Sequence, residues 1–228
     1  MVISGICGLV DGSLIQELRF ETVSNNLANV GTTAFKKDIL SFDEVLTMKT
    51  SSSIDFTQGP ITQTGNAMDL ALEGEGFMKV QTPQGLRYTR DGSLTINKEK
   101  TLATQSGDPV LGERGPIAIQ GNRLSIESDG SVVVDGERVD KISVVTFKDT
   151  SHLKKAGFSY YLYEGQDGEG PPAEGTRVQQ GFLEKSNINI TEEMIKMVES
   201  FRAFESVQKA IQNIDDMTGK LISEAGAS

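Results

Sequence analysis

The chain has 228 residues, 37% hydrophobic and 24% charged, which is enough apolar material for the core of one large domain or two small ones. Its 32 acidic and 22 basic side chains leave a net charge of −10, and the cations do not cluster, which argues against a phosphate-neutralising surface and a nucleic-acid partner. A single cysteine, Cys7, and a single histidine, His152, exclude an intrachain disulfide framework and most zinc or iron sites, which leaves carboxylates alone as metal ligands with no pattern to support them; no metal site and no cofactor are expected.

No run of about 18 apolar residues is present, so no membrane insertion is expected. The start, "MVISGICGLVDGSLIQELRFE", lacks a basic n-region, carries Asp11 early and keeps a helical pattern where a signal peptide would be cleaved. It is expected to stay on the mature protein. Its larger apolar residues, Ile6, Val10, Leu14, Leu18, Val23, Leu27 and Val30, fall mostly three or four apart. That spacing predicts an amphipathic helix of roughly 25 residues, about 38 Å long. The lone Cys7 reads as buried in helix packing.

The helix runs into "SNNLANVGTTAFKK" (24–37). Asn25 and Asn29 lie four apart on one face with Asn26 adjoining, and such amides weaken a helix interior because they compete with its backbone. Two readings stand: Asn29 ends the helix before Gly31, and the amides pair across helix or subunit contacts, where a polar residue fixes register.

Residues 36–65 read as a Ser/Thr-rich connector. From about Asn66 the chain turns Gly-rich, with Asp-Gly in "YTRDGSL", "IESDGSVVV" and "VVVDGERV", each flanked by strand formers. Asp-Gly suits the positive φ of tight hairpin turns. Residues 66–180 are therefore predicted as an antiparallel β domain. Its predicted core is Phe77, Met78, Val80, Val110, Leu111, Ile117, Ile119, Leu124, Ile126, Val132, Val134, Ile142, Val144, Val145 and Phe147. After "EKSNINITEE" a second apolar pattern runs Met194, Val198, Phe201, Phe204, Val207, Ile211, Ile214, Leu221. Asn189 is placed to cap it, Glu192 to complete a capping box and Glu193 to meet the helix dipole.

The expected fold is thus α+β: long N- and C-terminal α-helices pairing as a coiled-coil-like stalk, with a central antiparallel all-β domain. Its parts are 1–35, the N-terminal helix of an inner assembly domain; 36–65, a linker; 66–180, the β domain; and 181–228, the return segment and C-terminal helix. No phosphate loop or dinucleotide fingerprint is present, and "ESDGSVVVDGERVD" reads as two turns, not a calcium loop. His152 lies in a polar, surface-type segment, and no carboxylate pair sits on a buried period. The residues describe no enzyme.

"TVSNNLANVGTTAFKKD" resembles the N-terminal signature of the bacterial flagellar rod, hook and hook-associated axial proteins, with Ala34 where that family more often has glycine. The block "FTQGPITQTGNAMDLALEGEGFMKVQTPQGLRYTRDGSLTINKEKTLATQSGDPVLG" resembles one shared by rod and hook proteins, and "VQQGFLEKSNINITEEMIKMVESFRAFESVQKAIQ" resembles their C-terminal signature. The short stretch between Phe35 and Phe56, with "GPIAIQ" and "VVTFKD", is most similar to the proximal-rod branch, since distal-rod members usually carry a longer insertion there and hook proteins an additional domain. The resemblance implies a structural subunit of the periplasmic rod of the basal body, exported through the flagellar type III apparatus with its N-terminus uncleaved. Its implied partners are copies of itself and other rod proteins. Subunit assembly would fall to Asn25, Asn26, Leu27, Asn29, Thr32 and Phe35 on one side and Met194, Val198, Phe201, Phe204, Ile211 and Ile214 on the other. The alternatives are a distal-rod subunit of the same family and a secreted β-domain binding module on a helical stalk, whose ligand face would have to use Tyr88, Tyr160, Tyr161 and Tyr163.

Overall fold

A computed structural model describes residues 2–42, 50–165, 170–173 and 175–225. The described chain divides into two compact units: residues 1–28, 38–53 and 188–228 form one, and 29–37 with 54–187 form the other.

The first unit is built on two helices, α1 (Val2–Ala28) and α2 (Ile190–Ala225), which pack on each other. The strands Asp38–Phe42 and Thr50–Ile54 pair as a two-stranded sheet, and the former also lies against α1. Asn189 caps α2 as expected: its Oδ1 accepts from the N–H groups of Thr191 (3.1 Å) and Glu192 (3.4 Å). Glu192 itself stays exposed, and the acid drawn inward is Glu193. The side chains of Ile6, Cys7, Val10 and Leu221 lie outside the described residues.

The second unit is antiparallel β throughout its named pairings. Its largest sheet has five strands, ordered Val144–Val145, Phe77–Thr82, Gly85–Thr89, Tyr160–Tyr163, Leu153–Lys155. The Asp135-Gly136 hairpin joins Ser131–Val134 to Glu137–Lys141 with φ of +51° and +91°, the positive pair that a type I′ turn requires. Asp91-Gly92 is no hairpin. There Gly92 lets two backbones meet: a Cβ on it would lie 1.7 Å from the Leu70 carbonyl oxygen, and its own carbonyl accepts from Leu70 N–H. Glycine in that position serves close approach, which periodicity cannot separate from a turn.

Leu70, Leu72, Met78, Val80, Val110, Ile117, Val132 and Ile142 are among the side chains of the main core. Of the residues expected there, Leu111, Leu124, Val144 and Phe147 are only half-buried. A second, aromatic cluster holds Phe77, Tyr88 and Tyr161, with Phe56, Phe147 and Tyr163 packed against it. Phe56 meets Phe77 edge-on at 5.4 Å, and Phe147 stacks on Tyr163 at 4.6 Å. Tyr88, Tyr160 and Tyr161 are thus core residues and Tyr163 is half-buried, which removes the aromatic face that a ligand-binding module would have used.

The unit closes by bringing its two ends together. Phe182–Glu184 pairs with Ile61–Gln63, and Arg177–Gln180 pairs with Leu70–Glu73, so the outgoing chain zips onto the incoming one. Gly59 sits at this seam, where a Cβ would fall 2.0 Å from the Lys185 carbonyl oxygen. Gly59→Ala must push two backbones apart, and we expect it to cost about 3 kcal/mol and to lower the melting temperature by roughly 6 °C or more in a thermal unfolding experiment.

Candidate assembly site

The asparagine cluster is occupied within the chain. Asn26 is buried in the helix-pair unit, where its Oδ1 accepts from Asp38 N–H (2.9 Å) and its Nδ2 donates to the Asp38 carbonyl (2.9 Å) and to Glu193 Oε2 (3.2 Å). The amide therefore acts as a substitute peptide group for the strand that follows, and it also ties α1 to α2. Glu193 in turn accepts from Lys196 at 2.9 Å. Asn25 donates to Asp38 Oδ2 at 3.0 Å from an exposed position, and Leu27 is half-buried.

Asn29 and Thr32 belong to the β unit. Thr32 donates from its hydroxyl to Asn29 Oδ1 (3.2 Å) and from its backbone N–H to the Asn29 carbonyl (3.0 Å), a turn that stops the helix. Two residues on, Ala34 is fully buried with φ of +52°. A left-handed backbone there gives a reason for the glycine more usual in the resembled family, since an L side chain costs about 1 kcal/mol in that region. Phe35 is buried beneath Lys155, whose Nζ lies 3.8 Å from its ring centroid.

Sequence reasoning missed the buried ionic cluster of this unit. Glu184 is completely buried, and its Oε1 accepts from Lys36 Nζ (2.7 Å) and Gly59 N–H (2.8 Å) while Oε2 accepts from Arg90 Nε (2.9 Å). Arg90 spends its other donors on the carbonyls of Gly76 (2.8 Å), Gly74 (2.9 Å) and Leu72 (3.1 Å), and Lys36 reaches the Thr57 carbonyl (2.7 Å). Burial pulls the Lys36 pKa below the ordinary lysine value; the Glu184 carboxylate opposes the shift and the Arg90 cation adds to it. Asn187 repeats the device of Asn26: its Oδ1 accepts from Lys37 N–H (2.8 Å) and its Nδ2 donates to the Asp55 carbonyl (2.8 Å). The signal for this cluster was the polar "FKK" and "EKSN" inside otherwise structural blocks.

On α2 the expected stripe does not form one face. Phe204, Ile211 and Ile214 are half-buried, but Met194, Val198 and Phe201 are 51–54% exposed, as are Ile195 and, slightly less, Ile190. From Met194 to Ile214 the apolar positions take six steps over 20 residues. At 100° per residue that falls about 160° short of six turns, so the stripe winds around the helix. Its C-terminal half faces inward and its N-terminal half is left in solvent. Leu14 on α1 is likewise 58% exposed.

Among the described residues no three of His, Cys, Asp and Glu are grouped to hold a metal ion, and no helix is long and apolar enough to cross a membrane. His152 is exposed, 3.6 Å from Asp149. Two substitutions separate charge from packing at Glu184. Glu184→Ala leaves Lys36 and Arg90 buried without a counter-ion and should cost about 3–5 kcal/mol, whereas Lys36→Met leaves a neutral Arg90–Glu184 pair and should cost clearly less. Denaturant titration of both variants checks the order.

Residues 71–134 match the family described as flagellar hook protein FlgE/F/G D1 domain, and residues 179–224 match the flagellar basal body rod FlgEFG protein C-terminal family. The chain is 36% identical to the flagellar basal-body rod protein FlgF of Caulobacter vibrioides over 225 residues, covering 90% of this chain and 91% of the relative. It is 32% identical to the FlgF of Escherichia coli over 235 residues (92% and 93%) and 32% identical to the FlgG of Buchnera aphidicola over 246 residues (90% and 94%). With packed terminal helices, an antiparallel β middle and relatives matched over nearly their whole length, the chain belongs to the flagellar basal-body rod protein family of structural subunits.

Proposed function

We infer that this chain is a proximal-rod subunit of the FlgF type. It is exported by the flagellar type III apparatus with its N-terminus retained, and it assembles in the periplasmic rod with copies of itself and with other rod proteins to carry torque to hook and filament. The observation that carries assembly is the apolar face Met194, Val198 and Phe201, about half exposed, which α1 leaves uncovered. Helices that bury only part of their apolar surface gain by packing against further helices. Asn25, Asn26, Leu27, Asn29, Thr32 and Phe35 then fix where the chain leaves α1, so that each copy presents the same face.

Support for the proximal assignment comes from length. For the same 90% of this chain, the alignment spans 225 positions with the Caulobacter FlgF and 246 with the Buchnera FlgG, a difference in the direction expected of a longer insertion in the distal-rod type.

In a bacterium deprived of its own FlgF, this chain should restore swimming, and in one deprived of FlgG it should not. Rescue of the FlgG strain alone would assign it to the distal rod. Val198→Glu combined with Phe201→Glu should abolish rod assembly while the melting temperature of the purified protein stays within a few degrees, since both positions are exposed. In the dilute monomer, amide exchange should run faster over 1–35 and 188–228 than over 66–180, because isolated helix pairs are marginal without further partners.

A further inference from the structure

The most exposed large apolar side chain among the described residues is not on a helix. Phe158, 81% exposed, sits at the tip of the hairpin formed by Leu153–Lys155 and Tyr160–Tyr163. The turn that carries it has three successive positive φ values: Gly157 +81°, Phe158 +49° and Ser159 +59°. It is closed by Ala156 N–H to the Tyr160 carbonyl (2.8 Å) and Tyr160 N–H to the Gly157 carbonyl (2.7 Å). Asparagine or glycine would satisfy that backbone without strain. A phenylalanine there is unfavourable twice, in its backbone and in its wetted ring, and its nearest ring, Tyr160, is a tilted neighbour at 6.5 Å.

At the other end of the same hairpin lies a cleft of about 470 Å³. Phe77 is its buried floor, and half-buried Phe56 and Phe147 line it. Phe147 stacks on Tyr163, which pairs with Leu153 at the hairpin root, and Thr150, just before that root, completes the lining. The Arg90 guanidinium stands 6.0 Å from the Phe77 ring centroid. The rim carries Asp55 and exposed Glu75 against Lys148; on the hairpin Lys154 is paired with Glu164, while Lys155, nearer the tip, lies over the Phe35 ring. Such a volume and lining suit an aromatic side chain, and the Lys155 charge beside the tip is opposite in sign to Asp55 and Glu75.

Knob and cleft are separated by the length of the hairpin, roughly 10–13 Å, so a chain does not fill its own cleft. We propose that Phe158 of one copy seats in the Phe56–Phe77–Phe147 cleft of the next. The contact is heterologous, so each copy keeps one free knob and one free cleft, and addition continues as an open polymer rather than stopping at a dimer. The proposal rests on the assembly reading above and adds a second, helix-independent contact between copies of the β unit.

The test uses the full-length chain. A photo-crosslinking phenylalanine analogue at position 158 should join copies in assembled rods, with mass spectrometry mapping the link to Phe56 or to residues 146–150. Phe158→Asn, which suits the turn, should leave the melting temperature equal or raised yet weaken self-association at least tenfold by sedimentation. Glu75→Lys, at an exposed rim position, should weaken it in the same direction. Links that map to α2, to another protein or to nothing would overturn the proposal, as would unaltered association of Phe158→Asn. If that variant assembles normally while the Val198→Glu, Phe201→Glu protein does not, only the knob fails; if both assemble, the assembly reading fails with it.

Discussion

The β unit depends on one buried carboxylate. Glu184 gathers the ammonium of Lys36, the guanidinium of Arg90 and the N–H of Gly59, groups that come from three distant parts of the chain. Two cations against one anion would be an expensive interior if the remaining donors were idle, but Arg90 and Lys36 also bond to four backbone carbonyls. A buried ion pair of this kind contributes little net stability over an apolar replacement, whereas removing one member is costly. The partners of Glu184 lie 148 and 94 residues away, so the unit cannot be locked before nearly all of its sequence is available.

The same logic accounts for the asparagines. The chain passes between the two units at 28/29, 37/38, 53/54 and 187/188. Near such passages backbone groups leave their ladders and need other partners. Asn26 takes both the N–H and the carbonyl of Asp38, and Asn187 takes the N–H of Lys37 together with the Asp55 carbonyl. An amide carries its donor and its acceptor on two separate atoms of one short planar side chain, as a peptide group does; a glutamate carboxylate has no donor and a serine hydroxyl has a single atom for both. The loss of helix propensity at Asn26 is offset by three hydrogen bonds, of which the one to Glu193 across the helix pair is buried.

How much of this was legible follows from the kind of signal each feature leaves. Two terminal helices and an antiparallel middle were readable because periodicity and Asp-Gly turns are local. Asn26 stood out because an amide is anomalous inside a helix. Lys36, Arg90 and Glu184 did not, because a charged residue reads as surface until its counter-charge is known, and that partner is set by tertiary pairing. Gly92 was misread since a glycine that permits close backbone approach looks like one that permits a turn. The α2 stripe was a failure of arithmetic rather than of information. Its mean step of about 3.3 residues differs from the helical 3.6, and that difference alone rotates Val198 away from the partner that Ile211 and Ile214 face.

These features separate cleanly by polarity. Inside each unit the buried charges and amides are matched, so the interior carries a specific geometry. Outside, α2 leaves Met194, Val198 and Phe201 half exposed and the 153–163 hairpin holds out Phe158 on a strained backbone. A monomer would be better served by the opposite distribution, with apolar side chains covered and strained turns relaxed to asparagine or glycine. Unmatched polar groups within would soften the subunit, and covered apolar groups without would leave it nothing to bind. A stiff interior with an unfinished surface is what the assembly proposed above needs from its subunit.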